Sequence, residues 1–200
     1  MGIAPRVSGF VTCDLIMDDE KELIRIALES NASHAAILET SGIRFYEEVR
    51  KACEKNVCRK YDTNWMGPPA VGPVSELSRR VRDYRLGLLF QTVHPLTSSF
   101  DMKGWFVAAE VHKKVFRALL GKIRTAFPSE DLLPLDAGCC SVCERCAYLD
   151  RQPCRNPGEA ASSVEAYGMD VLSLQKSAGV PYNNGKNTVT YVGLILFGKL

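Results

Sequence analysis

No apolar run in this chain approaches the roughly 20 residues a transmembrane helix needs, so none of its 200 residues is a candidate span. Charge of one sign is also missing. Lys and Arg number 25 against 23 Asp and Glu, a net of +2. That balance gives no electrostatic case for nucleic acid or an acidic membrane surface as partner. The opening Met1-Gly2-Ile3-Ala4-Pro5-Arg6 lacks the basic segment and apolar stretch of a secretory signal. It also lacks the Ser or Thr at position 6 expected for myristoylation. Neither Gly-x-Gly-x-x-Gly nor a Walker sequence is present, so a nucleotide site has no support. Histidine is scarce. His34, His94 and His112 stand apart with no legible Ser–His–Asp or Cys–His spacing, and each is read as structural. Internal repeats and low-complexity segments are absent as well.

What remains is a chain that is 46% apolar, enough to bury a sizeable core. The expected organisation is one domain over 1–200. An α/β core fills 1–135 and includes the Cys53–Pro69 loop. A cysteine-rich segment at 136–170 returns to the core through 171–200. Helical spacing marks 19–30, with Leu23, Ile24, Ala27 and Leu28 inward and acidic residues in the first turn. The short run His34–Glu39 reads as a buried strand. Residues 43–55 read as helix with Phe45, Tyr46, Val49 and Ala52 inward. Pro68-Pro69 then excludes helix and central strand from the loop 58–73.

Helix is expected again at 74–84 and strand at 86–93. The longest helix spans 104–127 and stops at Pro128. Its stripe of Val107, Val111, Val115, Leu119, Ile123 and Phe127 steps by four, with Phe116 and Leu120 beside it and His112 at its edge. A short strand is expected at 132–135. Ser162 or Ser163 can cap a short helix through 165–167. A helix over 171–178 stops at Gly179. Asn183-Asn184-Gly185 reads as a hairpin turn, and 188–197 as a final strand. Alternating helices and strands predict α/β or α+β: a small mixed sheet, flanking helices and a C-terminal ferredoxin-like cysteine loop.

Cysteine, by contrast, is plentiful. Of eight, five fall within residues 139–154. The run GCCSVCERCAYLDRQPCRNP places Cys140, Cys143 and Cys146 two residues apart, with Cys154 seven further on. Disulfide frameworks spread cysteines to staple distant loops, whereas clustering without an export signal favours metal and a reducing cytoplasm. Closely spaced thiolates with a returning cysteine suit a [4Fe-4S] cubane. Gly138 and the short linkers permit a tight loop, and Pro153 and Pro157 bracket Cys154. The bacterial ferredoxin run has three residues before its last cysteine, so the spacing does not fix which cysteine closes the cluster. Zinc is the alternative, though its usual pattern is two Cys-x-x-Cys knuckles with a longer insert. Cys139 is left as a buried thiol, an alternate ligand or nothing. Arg145 and Arg155 flank the ligands, suited to stabilising a reduced cluster, to docking an acidic partner, or simply to solvation.

A second segment, VRKACEKNVCRKYDTNWMGPPAVG, holds Cys53 and Cys58 beside Asn64, Trp65 and Gly67. Two cysteines alone do not make a cluster site, and Trp65 is read as packing or as a shield. Together VRKACEKNVCRKYDTNW, PPAVG, GCCSVCERCAYLDRQPCR and SSVEAYGMDVLSL resemble the family of predicted metal-binding proteins built on domain of unknown function 2284, over most of the chain. The resemblance implies metal binding, with iron–sulfur favoured, and no particular reaction. It implies metal or cofactor roles for Cys140, Cys143, Cys146 and Cys154, and for Cys53 and Cys58. In the family the first segment ends in Trp-x-Cys-Pro-Pro, whereas here it reads Trp65-Met66-Gly67-Pro68-Pro69. A three-cysteine cubane would leave one iron open to substrate. With Gly67, that first site is either lost or rebuilt from Cys13, Cys139 or a ligand.

Three functions follow as expectations. One is electron transfer or a redox accessory role with a partner protein. Another is an iron–sulfur enzyme acting on a small-molecule substrate at the Cys53–Pro69 loop. The third is a non-redox protein with structural zinc.

Overall fold

The apolar runs LGLLF and GLILF lie side by side at the centre of a five-stranded sheet. The computed structural model describes residues 12–200, with side chains from residue 18 onward. The strands are β1 (His34–Glu39), β2 (Tyr84–Pro95), β3 (Leu133–Asp136), β4 (Ser162–Ser163) and β5 (Thr188–Lys199), in the order β1-β2-β5-β3-β4. β1–β2, β2–β5 and β5–β3 pair antiparallel, and β3–β4 pair parallel. The helices are α1 (Thr12–Glu29), α2 (Glu47–Glu54), α3 (Val74–Arg82), α4 (Met102–Ala126) and α5 (Val171–Ala178).

Period-two alternation sends Leu86, Leu88 and Phe90 of β2, with Ile195 and Phe197 of β5, to one face. There α1 contributes Leu23, Ile26 and Ala27, and α4 contributes Val115, Phe116, Leu119, Leu120 and Ile123. Leu89, Leu194 and Leu196 face the other way, onto Leu77, Val81, Leu174, Tyr167 and Met169. Both faces are covered, which explains why the central strands read as unbroken apolar runs. Each fully buried Leu, Ile or Phe contributes roughly 1.5–3 kcal/mol. Packing is close enough that a Cβ at Gly193 would lie 2.4 Å from Cζ of Phe90.

The stripe on α4 is rotated from the expected one. Val107 is 58% exposed and Val111 41%, while Ala108 and His112 are buried. Steps of four outrun a period of 3.6 by about 40° each, so a stripe anchored at Leu119 drifts off the core face toward the N-terminus. His112 is therefore not at the stripe's edge but fully enclosed. Its Nδ1 is 2.8 Å from the Thr92 hydroxyl, its Nε2 3.2 Å from Asp136 Oδ1, and Phe90 stacks on its ring. The 3.2 Å approach lacks hydrogen-bond alignment, which leaves both atoms unsatisfied.

Three smaller departures matter. α2 begins only at Glu47, and Ala52 is exposed while Arg50 turns inward. Leu28 of α1 is 48% exposed. Asn183-Asn184-Gly185 is no hairpin, because the element before it is α5 rather than a strand partner of β5. Ser162 and Ser163 form β4 rather than a helix cap: the 3-10 turn at Glu165–Tyr167 has Val164 at its N-cap, and the Ser163 hydroxyl accepts from the Ala166 amide.

Candidate metal centre

Residues 137–161 leave the sheet at the end of β3 and rejoin it at β4. Leu135 pairs with Ser162 and Asp136 with Ser163, so the sheet edge pins both ends of the loop. Inside it the backbone is turns, with one 3-10 turn at Ala147–Asp150. That turn ends at Arg151 in the left-handed region (φ 54°), whose amide donates to the Tyr148 carbonyl at 2.9 Å.

This loop brings Cys140, Cys143, Cys146 and Cys154 to one narrow pocket of about 20 Å³. That is little more than the room one water needs. Trp65, Met66, Val142 and Ala160 supply its apolar walls. Donors aim at the sulfurs. The Asn156 side-chain amide donates to Cys143 Sγ at 3.1 Å. Backbone amides of Val142 and Ala161 donate to the Cys140 thiol. Burial pushes the Cys140 thiol up, these two amides oppose the shift, and Cys146 and Cys154 add to it. A metal at Cys140 therefore competes with a proton that burial holds on the sulfur.

The second wall comes from a distant stretch of chain. Trp65 Nε1 donates to the Gln152 carbonyl at 2.8 Å, and its ring meets Tyr148 edge-on with centroids 5.0 Å apart. Tyr148 OH hydrogen-bonds Asp62, and the Ser162 hydroxyl reaches Met66 Sδ at 3.8 Å. Trp65 thus both packs and screens the thiols. Arg145 pairs with Asp150 at 2.7 Å, and Arg155 donates to the Arg145 carbonyl. Both arginines brace the exposed side of the loop.

A wider cavity of about 250 Å³ adjoins the pocket, with Asn64 and Met66 common to both linings. Cys53, Cys58 and Cys139 line it, with Gly67, Lys60 and Glu165. Cys53 ends α2. That helix is anchored by Arg50, whose guanidinium donates to the carbonyls of Ala166 at 2.5 Å and Gly72 at 2.9 Å. Burial raises the Cys53 thiol, the Arg50 charge opposes it, and Glu165 and Cys58 reinforce it. Burial likewise lifts the Glu165 carboxyl, against hydrogen bonds from its own amide and Ser163. Cys13 lies outside the residues whose side chains are described.

Sequence reasoning missed Arg50, Asn156 and Glu165. A charged residue between apolar helix positions was the one signal available for Arg50. Among the described residues, no three His, Cys, Asp or Glu side chains converge closely enough to hold a single metal ion. The donor set nonetheless fits a soft metal: clustered thiols, apolar walls and N–H groups directed at sulfur. No curated protein and no solved structure matches the chain. Residues 36–197, from β1 through the cysteine loop to β5, match the family described as predicted metal-binding protein (DUF2284), and the chain belongs to that family.

Proposed function

We propose that Cys140, Cys143, Cys146 and Cys154 hold a [4Fe-4S] cluster and that the protein serves electron transfer, as a carrier or redox accessory to a partner protein. The observation that carries this reading is the meeting of four thiols in one apolar pocket with three N–H donors directed at sulfur. When bound, the cluster supplies one-electron exchange without making or breaking bonds to substrate. Trp65 and Met66 exclude water. Asn156 and the Val142 and Ala161 amides stabilise charge on sulfur, which favours the more anionic reduced state. Arg155 offers a positive charge to an acidic partner, while Arg145 is already paired with Asp150.

The wider cavity favours a second reading, an enzyme that takes a small molecule beside Glu165. Iron, acid-labile sulfide and zinc per chain, with the visible spectrum, separate the possibilities after anaerobic purification. Replacing both Cys143 and Cys146 by Ser should remove about four irons and four sulfides. One zinc per chain and no sulfide would overturn the redox assignment.

A further inference from the structure

We propose that Cys139 supplies the third thiolate of a second metal site, with Cys53 and Cys58, in the wide cavity. Adjacent cysteines line different cavities. Gly138, two residues after β3, turns the chain with φ at 70°. Beyond it Cys139 lines the wide cavity and Cys140 the narrow pocket. A lone spare thiol would carry no such meaning, but this one shares its cavity with two further cysteines and a carboxylate.

Gly67 lines the same cavity, at the position where the family resemblance expects a cysteine. A Cβ there would meet the Asn64 amide at 2.9 Å. Asn64 has closed over the space a side chain would use, and Cys139 on the same lining provides the sulfur that position 67 lacks. At about 250 Å³ the cavity has roughly eight times a water's share of liquid volume. The Arg50 charge acts on the Cys53 thiol, and Lys60 lies on the cavity lining. The donor set is three sulfurs with the Glu165 oxygens beside them, so a cubane here would have one iron without a cysteine ligand.

The test is metal content by site. The full chain should carry about eight irons and eight sulfides after anaerobic purification. Cys139→Ser should lose half of both and keep the cluster at Cys140–Cys154. Gly67→Cys with Asn64→Ala, which clears the blocked space, placed in the Cys139→Ser chain should restore the loss. The roughly four irons that Cys139→Ser keeps show that the single variant is folded. Mössbauer spectra of the full chain should resolve one iron in four of the second cluster as distinct. A full chain that stops at four irons overturns the proposal. So does a Cys139→Ser chain that keeps all eight. Failure of the C-terminal assignment would look different: Cys143→Ser with Cys146→Ser would then leave the metal content unchanged.

Discussion

The narrow pocket and the wide cavity share a wall of Asn64 and Met66, yet they are built oppositely. The narrow one draws all its thiols from one loop pinned at both ends by β3 and β4. The wide one draws its thiols from two remote stretches, the end of α2 and the start of the cysteine loop, and adds charged groups. Four sulfurs within 15 consecutive residues come from one local segment. A site assembled from distant segments depends on the fold. Enclosure by Trp65 suits outer-sphere electron exchange. Room and a carboxylate suit ligand binding.

Several substitutions test this contrast, beginning with the largest effect. Cys146→Ser should empty the narrow pocket and leave the wide cavity's metal in place, read as a loss of about half the iron and sulfide. Arg50→Ala should do the reverse. It orphans the Ala166 and Gly72 carbonyls and costs about 3 kcal/mol in a urea melt. Iron should then fall at the wide site first. Gly138→Ala forces a side chain into the left-handed region and should cost about 1–2 kcal/mol. Its Cβ would meet nothing within 4 Å, so the cost is backbone strain alone. Because Gly138 sits at the fork, metal should loosen at both sites together. Trp65→Phe removes the bond to Gln152, worth about 1 kcal/mol. It should speed bleaching in air at the narrow pocket only.

His94 provides the smallest effect, and it should touch neither site. Burial and the neighbouring His112 hold its imidazole below the usual 6.5. A depressed histidine contributes stability that is full above the unfolded value and is lost as pH falls through 6.5 toward the folded one. Ring titration followed by NMR should show a midpoint below 6.5, and His94→Gln should flatten the stability slope in that window. Iron released over the same interval in the variant as in the parent would place the metal's acid sensitivity elsewhere.

The strands were legible where apolar residues run together. His34–Glu39 was read to the residue, and β2 and β5 to within two residues of their ends. β4 was not legible, because two serines carry no pattern and their pairing depends on a chain end that returns from the cysteine loop. The rotation of α4 was hidden by a step-four stripe that looked continuous. Cys140, Cys143, Cys146 and Cys154 stood out by spacing alone. Their wall did not, since Trp65–Gln152 and Asp62–Tyr148 bridge segments more than 80 residues apart. That Cys139 and Cys140 line different cavities was not legible either, because it depends on how the loop is folded rather than on spacing.

The parallel pairing of β3 with β4 has a thermodynamic consequence. Two registered pairs hold the mouth of a loop whose closure costs on the order of 3 kcal/mol of chain entropy. So short a ladder is a weak clasp. A metal held between Cys140 and Cys154 would halve the free contour and lower that entropic cost by roughly 0.6 kcal/mol. Chelation should therefore act as a local denaturant. Amide exchange would quicken first at Ser162 and Ser163, at the margin of the sheet, while Leu88 and Ile195 at its centre stay protected.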